Sequence, residues 1–266
     1  MSRLQALFQR ARGDRRPALM PFLEAGDPDV AVLREMVPAL VEAGAEALEL
    51  GVPFSDPVAD GPVLQRAAQR ALSRGVRLAD VLVLARELRR QVEIPIALLS
   101  YVNPLLRYGL ERFCRDAVEA GVDAVIPADL PVDEAEPLVQ AARDAGLDTV
   151  FLVAPTSTDA RIRLAAHRST GFLYCVSLTG TTGPRDRLGE DGPALLHRVK
   201  GLTDRPAVLG FGVSRPEHVR ALAGLADGVI VGSALYRVIE GSADPVAAAV
   251  EFVRPFAMAA RGEAAG

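Results

Sequence analysis

The 266-residue chain has a single lysine, Lys200, no tryptophan, three histidines and two cysteines. Each scarcity removes a class of chemistry. Lys200 stands beside Gly201 at the polar end of an amphipathic stretch, so a lysine Schiff base, with a carbonyl substrate or with pyridoxal phosphate, lacks a carrier. His167, His197 and His218 lie in separate, arginine-flanked stretches with no HxH or HxxxH spacing, which argues against a zinc or iron site built on imidazole. Cys114 and Cys175 form neither a CxxC pair nor a disulfide framework, a usage that suits a reducing cytosol. No apolar run reaches the ~18 residues of a membrane span. The opening MSRLQALFQRARGDRR lacks the apolar core and cleavage site of a signal peptide. A soluble, cytoplasmic protein without metal or cofactor is expected.

Charge excludes further partners. Thirty Lys+Arg against 34 Asp+Glu give a net charge of −4, and no basic face suggests nucleic acid or an anionic membrane. Arg10, Arg12, Arg15 and Arg16 crowd the start, but Asp14 sits among them, so a solvated first helix is expected. Chemistry is left to carboxylates, hydroxyls and backbone amides.

What is present is alternation. Short apolar runs at 18–23, 47–50, 95–99, 124–126, 149–153, 172–176, 207–209 and 228–231 read as parallel strands covered on both faces. Amphipathic stretches between them, at 30–42, 78–91, 110–119, 132–144, 160–167, 194–200, 216–223 and 245–260, read as helices, the last with Asp244 as N-cap and Pro245 in first position. Gly44, Gly121 and Gly146 each follow an acidic residue and an alanine and precede a strand, as left-handed helix C-caps do. Asp123, Asp148 and Asp227 stand near the starts of strands. About eight β-then-α units match a single (β/α)8 TIM barrel over residues 1–266. An open doubly wound sheet would want fewer strands and a glycine-rich first turn. In such a barrel the active site lies at the C-terminal ends of the strands.

Glu49 interrupts the second strand between Leu48 and Leu50. Alternation points it away from both neighbours, into the barrel, where desolvation raises its pKa toward that of a neutral-pH proton-transfer group. The same position also suits a glutamate bonded to a neighbouring strand. Asp60 follows within a proline-stiffened loop bearing Pro53, Pro57, Gly61 and Pro62. It reads either as a carboxylate on a lid or as a turn or helix-capping residue. Ser55-Asp56-Pro57 carries the same ambiguity.

Glycines mark the tops of the last three strands. Gly183 follows the sixth, Gly212 the seventh, and Gly232-Ser233 the eighth. Backbone amides there form an anion cradle, and barrels of this class commonly bind phosphate after strands seven and eight. The sixth loop, through Leu188-Gly189-Glu190-Asp191-Gly192, reads as a lid carrying Thr182, or as a surface loop. Phe22, Leu99, Tyr101, Ile126, Ala128 and Tyr174, at other strand tops, either enclose a flat aromatic group or pack the core.

These residues resemble a known family. Pro21-Phe22 with Ala25-Gly26-Asp27-Pro28, then LELGVPFSDPVADGP at 48–62, GFGVS at 210–214 and GSA at 232–234 are similar to the tryptophan synthase α-subunit. The resemblance spans essentially the whole chain. It implies cleavage of indole-3-glycerol phosphate to indole and glyceraldehyde 3-phosphate, with Glu49 and Asp60 as the catalytic pair and Gly183, Gly212, Gly232 and Ser233 holding the phosphate. Thr182 and Phe211 join the lid and indole pocket. A pyridoxal-phosphate-bearing β-subunit in an α2β2 assembly is the implied partner, with its contact surface around the stretches 53–57, 103–104 and 129–131. The chemistry agrees with the scarcities above: an indole protonated at C3 is its own electron sink, so neither lysine nor metal is required. One departure stands out. Where the family's first-strand stretch calls for threonine, this chain has Glu24, a third carboxylate near the barrel mouth that either points into the αβ loops or raises the pKa of Asp60 by like-charge repulsion.

Overall fold

The computed structural model describes residues 1–176, 189–210 and 212–263. Its described strands are β1 (Ala18–Glu24), β2 (Leu48–Gly51), β3 (Ile96–Ser100), β4 (Ala124–Pro127), β5 (Asp148–Thr149), β6 (Phe151–Val153), β7 (Leu173–Cys175), β8 (Ala207–Leu209) and β9 (Gly228–Val231). They pair in the order β5-β4-β3-β2-β1-β9-β8-β7-β6. All eight pairings are parallel.

The ends of that order meet. Val150 alone separates β5 from β6, and its N–H donates to Val125 of β4 at 3.0 Å. Phe151 then takes up register with Leu173 of β7. The stretch expected as one strand at 149–153 is therefore one bent stave, and the sheet closes into the expected (β/α)8 barrel. The bend has a local cause. The N–H groups of Thr149 and Phe151 donate to the hydroxyls of Thr170 and Ser169, both at 3.0 Å, and not to strand carbonyls.

Helices cover the outside. Gly44, Gly121 and Gly146 have φ of 107°, 82° and 78°, the left-handed values expected where these helices stop. Asp244 caps the helix Pro245–Ala260 by accepting the Ala247 N–H at 2.9 Å. Two of the strand-start aspartates stitch neighbours together: Asp123 accepts the Ile96 N–H and Asp227 the Ala207 N–H, each at 2.8 Å. The stretch expected as a helix at 132–144 breaks at Ala135 into a 3-10 turn, Val132–Glu134, and a helix, Glu136–Ala145. Pro137 explains the break, since a proline fits the first turn of a helix and not its interior.

The first helix, Arg3–Gly13, corrects the expectation of a solvated helix. Leu4, Leu7, Phe8 and Ala11 fall on one stripe and are buried. Phe8 meets Phe172 edge-on at 5.6 Å, and Arg12 donates to Asp227 at 2.7 Å. The helix thus plugs the barrel end opposite the active-site mouth. Among the described residues, no helix is long and apolar enough to cross a membrane.

Candidate active site

β2 is apolar apart from Glu49 and closes with Gly51. In the sheet order, β2 and β7 are separated by β1, β9 and β8. Even so, the Tyr174 hydroxyl of β7 lies 3.5 Å from both Glu49 carboxyl oxygens. That contact crosses the barrel interior, so Glu49 points inward. It is 1% exposed. Burial, assisted by the charge of Asp60 and opposed by the Tyr174 hydrogen bond, pushes its carboxyl up to about 8.

Asp60 lies on the segment 52–61 that joins β2 to the helix Pro62–Ser73. Gly61, not Asp60, is the N-cap of that helix, and no side chain caps it. The Asp60 carboxylate turns instead to Tyr101, whose hydroxyl donates to Oδ2 at 2.9 Å and accepts the Ala59 N–H at 3.1 Å. Phe54 stacks on the same tyrosine, ring centroids 5.1 Å apart. One aromatic ring therefore seats the loop. The turn reading holds for the backbone, where the Asp60 N–H reaches Pro57 O at 3.0 Å. Ser55 bonds to Asp56, both exposed, as simple turn chemistry. Burial raises Asp60 to about 6 against the opposing Tyr101 bond. Two carboxyls close enough to feel each other are thus held at different protonation states, the arrangement acid–base work requires.

The walls follow from strand alternation. A methyl group built on Gly51 would stand 2.7 Å from the Phe22 ring, and one on Gly232 would stand 3.2 Å from Phe22 Cβ. Phe22 of β1 therefore fills the interior between the tops of β2 and β9. Leu99 and Ala128 are half-buried at the tops of β3 and β4, and Ile126 is fully buried. Gly212 has φ +83°, and Gly232 N-caps the helix Ser233–Ile239. Thr182, Gly183 and Phe211, all named from the sequence, lie outside the described residues.

Sequence reasoning placed Tyr101 and Tyr174 as walls and missed them as the partners of the two acids. A tyrosine within an apolar strand, as Tyr174, or directly after one, as Tyr101, was the available signal, because a buried hydroxyl needs a partner. Sequence reasoning named Gly210 in the GFGVS stretch but not its packing role: an added methyl there would fall 1.9 Å from the Tyr174 ring. The sequence reads Glu24 as a third carboxylate near the barrel mouth, either pointing into the loops or raising the pKa of Asp60 by repulsion; the effect runs the other way, with the charge of Asp60 adding to burial in raising Glu24. It is 3% exposed, and burial holds its carboxyl well above the usual range. Among the described residues, no group of three or more His, Cys, Asp or Glu is arranged to hold a metal.

Comparison with known proteins places the sequence and the fold. A sequence model of the family described as tryptophan synthase alpha chain matches residues 8–261. The tryptophan synthase alpha chain of Solibacter usitatus is 49% identical over 251 residues, covering 94% of each chain. The crystal structure of tryptophan synthase subunit alpha from Legionella pneumophila superposes with a TM-score of 0.91 at 36% identity, over 98% of this chain and 99% of that one. A chain from the tryptophan synthase α2β2 complex of Pyrococcus furiosus superposes with a TM-score of 0.85 at 40% identity, over 93% and 98%. Barrel fold and full-length match converge: the chain belongs to the tryptophan synthase alpha chain family.

Proposed function

We propose that this chain cleaves indole-3-glycerol phosphate to indole and glyceraldehyde 3-phosphate in tryptophan biosynthesis, with Glu49 and Asp60 as its catalytic acids. The observation that carries the reading is the placement of the pair: Glu49 is buried on the interior wall beside the Tyr174 hydroxyl, and Asp60 is held by the Tyr101 hydroxyl on the loop that follows β2. In those surroundings burial pushes Glu49 up to about 8 and Asp60 to about 6. Between those values the site offers one proton donor and one acceptor.

Glu49 gives its proton to indole C3. The ring becomes an indolenine with positive charge at nitrogen, and the ionised Asp60 accepts the N–H and stabilises that charge. The glycerol hydroxyl then returns a proton to Glu49 as the carbon–carbon bond breaks, and the bond's electron pair restores the indole. Proton count and charge balance over the cycle. Tyr174 holds the Glu49 carboxyl and Tyr101 the Asp60 carboxylate. Phe22, Leu99 and Ala128 line the ring's seat. Main-chain amides at Gly212, Gly232 and Ser233 receive the phosphate, with Gly183 from the sixth loop, so remote binding energy orients the reacting end.

A β-subunit is the proposed partner, as in the Pyrococcus furiosus assembly. The groove of about 610 Å3 lined by Pro53, Phe54, Asn103, Pro104, Arg107 and Tyr108 brings together two of the stretches assigned to that contact. It adjoins the Asp60 loop through Phe54, so a partner seated there bears on Tyr101 and Asp60. A cytoplasmic setting belongs to the same proposal.

The test is indole release from indole-3-glycerol phosphate by the purified chain, with and without a β-subunit. Glu49→Gln should lower kcat by about 10²–10⁴-fold at little cost in substrate Kd. Near-normal turnover by that variant would sink the assignment.

A further inference from the structure

The reaction above leaves one interior carboxyl unused. Glu24 ends β1, in register with Gly51 of β2. It shares the interior face of β1 with Phe22, and a methyl group built on Gly51 would stand 2.7 Å from its Oε2. Among the described residues, its Oε1 is buried without a hydrogen-bond partner.

The surrounding groups are otherwise engaged. The Glu24 N–H donates to the Tyr236 hydroxyl at 2.7 Å, and that hydroxyl donates to the Asp27 carbonyl at 3.1 Å. The Asp27 carboxylate is gripped through both oxygens by Arg70 at 2.8 Å and touched by Arg74 at 3.3 Å. Arg70 also serves Glu240. Among the described residues, no cation pairs with Glu24. A carboxyl shut away from solvent without a counter-ion keeps its proton, and the charges of Asp60 and Asp27 act in the same direction. A protonated carboxyl is a donor. Asp27 is saturated by its arginines. On Asp60, Tyr101 takes Oδ2, and Oδ1 makes no hydrogen bond among the described residues.

We propose that Glu24 is a third acid of the reaction site, a positioning residue whose O–H serves the Asp60 carboxylate when the 52–61 segment seats over the barrel mouth. One proton held between the two acids keeps Asp60 the ionised member and aims its remaining lone pairs at the indole N–H. This rests on the role proposed above for Asp60, but the pairing itself is measurable without turnover.

Infrared difference spectra of the free chain at pH 7, wild type against Glu24→Gln, should contain the C=O band of a protonated carboxyl belonging to Glu24. In Asp60→Asn the Glu24 band should titrate at lower pH, because the charge that retains the proton is gone. In turnover, Glu24→Leu should lower kcat about tenfold with KM within about twofold, the scale of one hydrogen bond to a charged group. Glu24→Gln keeps a donor and should recover most of that loss. No Glu24 band at pH 7, or a band indifferent to Asp60→Asn, overturns the proposal, and so does a glutamine variant as slow as the leucine one. A chain inactive on indole-3-glycerol phosphate that still shows the coupled band would refute the reaction and support the pairing.

Discussion

Glu49 and Asp60 are the same functional group in two surroundings, and the difference sets a pH window. Turnover needs Asp60 ionised and Glu49 protonated. kcat/KM should therefore rise with pH through about 6 and fall through about 8. A rate profile of the wild type checks both limbs, and Asp60→Asn should abolish the acid one. Glu49 also leaves a mark on stability. Its folded value of about 8 lies above the usual 4.5, so between those values the folded chain binds more protons than the unfolded one. Stability is complete below 4.5 and falls as pH rises to about 8, by at most about 1.4 kcal/mol per unit for this group. Glu49→Gln has no such group to ionise. Its melting temperature should exceed that of the wild type at pH 8 and above, with the gap closing toward pH 5. Equal melting curves at both ends would mean that Glu49 is not desolvated.

At the scale of elements, the site depends on one strand top yielding to another. Tyr174 on β7 reaches Glu49 across the barrel only because Gly210, just past β8, has no side chain. A methyl group there would fall inside the tyrosine ring, and the listener to that strain is the ring, since β8 is locked between β7 and β9. Gly210→Ala should lower kcat tenfold or more through a displaced Tyr174, at a stability cost of about 1–3 kcal/mol for overpacking. Steady-state kinetics and a denaturant melt separate the two effects. The same contact shows what the sequence carried and what it did not. Glu49 was legible because strand alternation is local: Leu48 and Leu50 point out, so the residue between them points in. The glycine stops at 44, 121 and 146 were legible for the same reason. The Tyr174–Glu49 and Tyr101–Asp60 contacts join residues 125 and 41 positions apart, and only closure of the barrel brings them together. The buried stripe of the first helix was present at positions 4, 7, 8 and 11, but it was masked by the arginines around it.

For the whole molecule, the two halves of the proposed substrate site are tied by charge as well as by the barrel. Arg70, on the helix after the Asp60 loop, holds Asp27 beyond β1 and Glu240 at the end of the helix that Gly232 opens. Arg66 holds Glu240 as well, at 2.7 Å. Ligand gripped at the phosphate end is therefore expected to steady the entire mouth, and its binding free energy adds to the folding free energy of the chain. At a hundredfold excess over Kd, glyceraldehyde 3-phosphate should add about 2.7 kcal/mol, and in a domain of this size each kcal/mol raises Tm by about 2–4 °C. Gly232→Asp tests where the grip lies. The backbone there is not left-handed, and the new Cβ would sit 3.2 Å from Phe22 Cβ, so a small shift accommodates the side chain while its charge faces the phosphate. The variant should fold and lose the ligand-induced rise in Tm. A rise equal to that of the wild type would place the phosphate away from the tops of β8 and β9, and the orientation of the indole toward Glu49 would then need another anchor.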